Sequence, residues 1–288
     1  MEEKQYGDYF LNNYSPKNLN QRNENNKDEN SNKFSNLDIP SYKALACVCM
    51  GWLGISIVAT IFSLVVGLFI EIPAEGTTEY LKLNGWLQIV CYSVTLITLL
   101  VILGKKILIK LLNQFKKFSS ITKGIMYGFL LISASIAYNL IALAIYPDFG
   151  SNQNQNSVVD MIITTPIISF ISVVFLAPVT EEITYRLCLT GELAKKSKIM
   201  GIIASSLLFG LIHSAFFNLS FLDMDKQQII NEIVALPSYI ISGLIMAIAY
   251  VKEDSIACSI TAHMTNNFIA FVQAFLAEEL IESAIRLL

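Results

Sequence analysis

Ala177-Pro178-Val179-Thr180-Glu181-Glu182-Ile183-Thr184-Tyr185-Arg186 places two adjacent carboxylates and an arginine in a strongly apolar region. An ionisable side chain inside a membrane helix costs several kcal/mol and points to function. On a helix, Glu182 and Arg186 are one turn apart and can form an ion pair, whereas Glu181 is rotated about 100° away and left without that partner. The spacing therefore predicts a structural role for Glu182 and leaves Glu181 for chemistry. The chain has only two histidines, His213 and His263, each in an apolar run. Phe209 precedes His213 by one turn and Asn267 follows His263 by one turn, so each pair shares a helix face. Asn266 points elsewhere and reads as packing or interhelical bonding. A carboxylate with a histidine can polarise water and accept its proton. A second histidine with an amide can hold an oxyanion. The same carboxylate and two histidines (Glu181, His213, His263) could instead bind zinc with an open position. Each group also has a purely structural reading, such as interhelical hydrogen bonding by the histidines or core packing by Phe209.

The elements that must bring these groups together are membrane helices. The 288-residue chain is 54% hydrophobic and 15% charged, and its mean hydropathy is +0.54, a membrane composition. Seven apolar runs are expected to cross the bilayer: about 44–70, 86–103, 124–146, 159–181, 200–217, 229–251 and 255–276. If the fourth and fifth runs form a hairpin turning at Lys196–Lys198, Glu181 and His213 each lie roughly 22 Å from the turn; His263 lies roughly 14 Å into the last run. The three can meet at one depth.

The loops carry an orientation signal. Lys105, Lys106, Lys110, Lys116, Lys117 and Lys123 lie between the second and third runs, Lys195, Lys196 and Lys198 between the fourth and fifth, and Lys252 between the last two. Acidic residues dominate the alternate loops. The positive-inside rule then puts the lysine loops and the N-terminal stretch in the cytoplasm. Ile107–Phe118 reads either as an amphipathic helix on the lipid surface or as an extension of the second span. Glu278–Leu288 reads as an amphipathic segment along the outer interface.

Residues 1–40 are polar and rich in Asn, Asp, Glu and Lys, a composition that predicts a disordered cytoplasmic tail; residues 41–288 form the membrane domain. A net charge of -3 gives no reason to expect nucleic acid. Cys47, Cys49, Cys91, Cys188 and Cys258 show no CxxC spacing and read as buried free thiols. The fold class is all-α, a polytopic membrane helix bundle.

Three stretches together resemble the CPBP intramembrane proteases, which include the type 2 CAAX prenyl proteases and bacteriocin-processing or self-immunity proteins. That family carries EExxxR, FxxxH and HxxxN in order; here stand Glu181-Glu182…Arg186, Phe209…His213 and His263…Asn267. Ala177-Pro178 and Ser255-Ile256 are also familiar, and the resemblance spans about Asp160 to Phe275. It implies a protease core at about 160–276, with Glu181 as catalytic glutamate, His213 helping to activate water, and His263 and Asn267 stabilising the oxyanion. Glu182 and Arg186 are implied to orient the site. The family includes members described as metalloproteases; the absence of HExxH spacing favours glutamate chemistry without a cofactor, with Zn2+ as the alternative. Tyr185 stands where Phe is common, and Leu187 where Gly is usual.

The reading is an intramembrane endopeptidase of a bacterial plasma membrane, acting on a peptide or membrane-protein substrate in the lipid bilayer. A rival is a bacteriocin self-immunity or regulatory protein that binds a membrane partner. A proton-coupled transporter would want broken helices or paired repeats, and neither is visible.

Overall fold

The structure, a computed structural model, describes residues 36–217 and 220–287, with the side chains of residues 278–287 left aside. Most of the 1–40 stretch lies outside the described residues. Nine helices carry the described fold. They are α1 (Ser41–Gly67), α2 (Thr78–Leu103), α3 (Lys105–Phe115), α4 (Phe118–Ile145), α5 (Gln153–Thr164), α6 (Pro166–Ala194), α7 (Lys198–Ile212), α8 (Lys226–Glu253) and α9 (Ile256–Leu287). Short 3₁₀ turns occupy Asn36–Asp38 and Ser220–Asp223.

Five helices, α1, α2, α4, α6 and α8, are long and apolar enough to cross a membrane. Their outer faces are apolar: Leu53, Ile57, Ile61 and Leu64 on α1 and Phe129, Ile136 and Leu140 on α4 are exposed. The interior holds Glu182, Arg186, Thr190 and Ser259, as expected of a bundle whose solvent is hydrocarbon. The long α9 is not among the five, because Ser259, His263, Asn266 and Asn267 dilute its apolar run. At 15 residues, α7 is only about 22 Å long against a hydrocarbon core of about 30 Å.

Three expectations are corrected and one open alternative is decided. The fourth span does not run straight from residue 159: Thr165, at φ -137° and ψ 63°, separates α5 from α6. Pro166 causes this, because it lacks an N–H and pushes the residue before it out of helical geometry. The fifth does not reach Phe217, and His213 sits past the end of α7 rather than inside it. There the imidazole Nδ1 lies 2.7 Å from the Phe209 carbonyl, the acceptor that the His213 backbone N–H would otherwise use, and that N–H turns to Gly210 O at 3.2 Å. The lysine-rich α3 is a separate helix, not an extension of α2. Gly104, at φ 82°, adopts a conformation that glycine enters without a Cβ penalty. Finally, α9 runs through Leu287 without a break, so residues 278–287 continue that helix. Of the cysteines, all free, Cys49 is exposed and the other four are buried.

Glycines let the helices that bear the polar residues pack backbone to side chain. A Cβ at Gly124 of α4 would lie 2.5 Å from Thr261 Cβ, and one at Gly128 2.5 Å from Thr265 Cβ. This GxxxG face lets α9 approach as small residues do in membrane helix pairs. On the other side, a Cβ at Gly210 of α7 would meet Ile240 Cγ1 of α8 at 2.4 Å, and one at Gly243 of α8 would meet Ser206 Cα at 3.0 Å. Gly51 of α1 faces Thr184 of α6 in the same manner. The start of α9 is fixed by Gln114 of α3, whose Oε1 accepts from the Ile256 N–H at 2.8 Å.

Candidate active site

The acidic motif lies on an unusual stretch of α6. Phe170–Leu176 and Glu182–Thr190 are π-helical, with Ala177–Glu181 in α conformation between them. Wide turns show where the Ala177 N–H donates to Ser172 O and the Gly191 N–H to Arg186 O, both five residues back. Thr190 Oγ1 also donates to Tyr185 O at 2.8 Å. Such segments are rare and recur at functional sites.

Glu182 and Arg186 are fully buried and pair through Nη1 and Oε1 at 3.2 Å. Arg186 Nη2 donates to Gly243 O at 3.2 Å, and the guanidinium lies 4.3 Å above the Phe209 ring, a cation–π contact. The other Glu182 oxygen accepts from Ser259 Oγ. His263 Nδ1 is 3.0 Å from Glu182 Oε1, a carboxylate contact that fixes which ring nitrogen faces inward. Glu182 thus joins α6 to α9, and Arg186 joins α6 to α8.

Glu181, only 8% exposed, has a sparser shell. Its Oε1 accepts from the Tyr92 hydroxyl of α2 at 3.2 Å. Its Oε2 is buried without a hydrogen-bond partner, 3.9 Å from His213 Nε2 and 4.0 Å from His263 Nε2. The Nδ1 atom of each histidine is engaged elsewhere, so both rings turn Nε2 towards the same carboxylate oxygen. The His213 ring lies between Phe209, at 4.4 Å between centroids, and Tyr239, stacked at 5.1 Å and 19°.

Three residues expected to do chemistry, Glu181, His213 and His263, therefore converge from three helices, and Glu182, Arg186 and Phe209 form the wall behind them. Asn267 is engaged differently: its Nδ2 donates to Val173 O on the first π-helical segment at 3.0 Å, and its Oδ1 accepts from Asn266. Sequence reasoning missed Tyr92, Tyr239 and Ser259. Ser259 stands one turn before His263 and could have been found by that spacing; nothing in the sequence marks either tyrosine.

The donor set suits a water-sized occupant better than zinc as it stands. Zinc bonds of about 2.0–2.1 Å at tetrahedral angles hold donor atoms about 3.3 Å apart, and Glu181 Oε2 is 3.9 and 4.0 Å from the two Nε2 atoms. Among the described residues no group of His, Cys, Asp or Glu is spaced to hold a metal ion. An oxygen at hydrogen-bond distance, about 2.8 Å, accommodates those separations.

Residues 163–269 match the family model described as Type II CAAX prenyl endopeptidase Rce1-like. The match contains Glu181, His213, His263 and Asn267 and begins close to the start of α6. No curated protein and no solved structure matches this chain. This match covers the stretch that carries the three motifs, and there the chain is similar to CAAX-type proteases of the CPBP family.

Proposed function

We propose that this multi-pass membrane protein hydrolyses a peptide bond with water held between Glu181 and His213. The observation that supports this reading is the bare, buried Oε2 of Glu181 facing two imidazole Nε2 atoms. In the reaction Glu181 takes a proton from the water, His213 orients it, and its oxygen attacks the scissile carbonyl carbon. As an imidazolium, with Nδ1–H on Glu182, His263 donates its Nε2–H to the oxyanion. Asn267, which has a second amide N–H besides the one on Val173, supplies the other donor. The proton on Glu181 passes to the leaving nitrogen as the C–N bond breaks, giving an acid and an amine. Fixed donors in a largely buried site act strongly on such developing charge. The family's description makes a prenylated CAAX-type peptide the first substrate class to try. The lysine-bearing loops support, by the positive-inside rule, an orientation in a plasma membrane with the N-terminal side of α1 towards the cytoplasm.

The test uses purified full-length protein in detergent with a fluorogenic farnesylated CAAX-type peptide and a mixed peptide library. Wild type is expected to cleave, Glu181→Gln to lose cleavage and His213→Ala to fall to a low residual rate, both variants staying folded. Turnover that survives Glu181→Gln would sink the mechanism.

A further inference from the structure

His213 lies at the end of α7, where a helix no longer holds it, and yet its ring is fixed. A network from α5 and α8, outside the motif residues, surrounds it. Tyr239 of α8 stacks on the ring at 5.1 Å. The Tyr239 hydroxyl donates to Asn152 Oδ1 at 3.2 Å and accepts from Asn154 Nδ2 at 3.1 Å. Asn152, 4% exposed, is the N-cap of α5, and its Nδ2 donates to the His213 carbonyl at 3.4 Å. Glu232, 1% exposed, completes the arrangement. One of its oxygens accepts from the Gln153 N–H at 2.8 Å and the other from the Ala215 N–H at 2.9 Å. A single buried carboxylate thus joins the start of α5 to the chain just after His213.

We infer that Tyr239, Asn152 and Glu232 are positioning residues for His213, holding its imidazole so that Nε2 faces Glu181. The inference rests on the reading of His213 as a group that orients water. Tyr239 fixes the plane of the ring by stacking on it alongside Phe209, and Asn152 and Glu232 fix the backbone at its carbonyl and just after it. Without Tyr239 the ring loses a stacking partner, and the Phe209 contacts are left to oppose its rotation about the Cα–Cβ and Cβ–Cγ bonds. Both Glu232 oxygens accept, so glutamine is a poor substitute: its amide NH₂ would face a backbone N–H.

The chain has two histidines, so the full-length protein, labelled with ¹⁵N-histidine in detergent, gives ring signals from two residues. His213→Ala and His263→Ala assign them. Tyr239→Leu and Glu232→Gln are expected to move or broaden the His213 ring signals and leave those of His263 in place. Tyr239→Phe, which keeps the ring and removes the hydroxyl, gives a smaller shift and serves if the leucine variant does not fold. With the farnesylated peptide as probe, Tyr239→Leu should lower kcat about 10- to 100-fold, the scale of a small misplacement, with KM within about twofold. In a His213→Ala background the same substitution should change nothing further, because the two act through one group. Unmoved His213 signals in folded Tyr239→Leu, or an equal loss of kcat in both backgrounds, would overturn the inference. Full activity of His213→Ala would instead remove the proposed catalytic reading, while the ring spectra would still decide whether the network orients His213; they also decide it where the peptide is not cleaved.

Discussion

Glu181 and Glu182 are the same residue type at adjacent positions, and the structure gives them opposite surroundings. Glu182 is fully buried and has Arg186, His263 and Ser259 against its two oxygens. Glu181 has one hydrogen bond, from Tyr92, and an oxygen with none. A buried charge with every oxygen engaged is a structural joint whose removal leaves its partners uncompensated. A carboxylate with a bare oxygen has basicity left to use. The difference comes from which helices each one faces, not from the amino acid.

The comparison can be broken by substitution. The largest effect is expected from Glu181→Gln: a loss of about 10²- to 10⁴-fold in peptide turnover, the scale of general base catalysis, with an unchanged melting temperature. Glu182→Ala is expected to do the reverse first, lowering stability by about 3–5 kcal/mol because Arg186 stays charged and buried; thermal unfolding in detergent measures it. If the two variants melt alike, the division of roles between the glutamates is wrong. Gly128→Val should cost about 1–3 kcal/mol by overpacking against Thr265, and it tests whether the close approach of α9 holds His263 in register. Ser259→Ala is expected to cost about 1–2 kcal/mol through the lost bond to Glu182, with turnover falling only as far as His263 shifts. The smallest effect is expected from chelation: extensive treatment with a strong chelator should leave cleavage unchanged, and a loss restored by Zn2+ would mean that the donors close in around a metal.

Much of this was legible in the residues. The Glu182–Arg186 pair is the one that helical spacing predicts, and depths of roughly 22 Å for Glu181 and His213 and roughly 14 Å for His263 allow the three to meet. The helical membrane bundle was visible in hydropathy. What could not be read were departures from regular helix. Spacing arguments assume 3.6 residues per turn, and α6 breaks that assumption twice. The end of α7 depends on the His213 side chain taking a backbone acceptor, a tertiary event without a local signal. Tyr92 and Tyr239 come from helices outside the three motifs, and their roles depend on packing angles that no pattern along one helix encodes. Asn267 illustrates the same limit: its position one turn after His263 was plain, but its bond falls on the Val173 carbonyl of a π-helical segment of α6, which spacing along α9 does not reveal.

That path also sets how the gene can vary. Each wide turn holds one residue more than an α-helical turn, so removing a single residue from Glu182–Thr190 offers the backbone an ordinary helix in return. The flanks then stay in phase, whereas the same deletion in an α-helical stretch rotates everything beyond it by about 100°. A deletion between Glu182 and Arg186 changes the spacing of that pair, and one beyond Arg186 leaves it intact. A deletion scan along α6 should therefore show residues 187–190 more tolerant of a lost residue than the α-helical stretches Ala177–Glu181 and Gly191–Ala194 on either side.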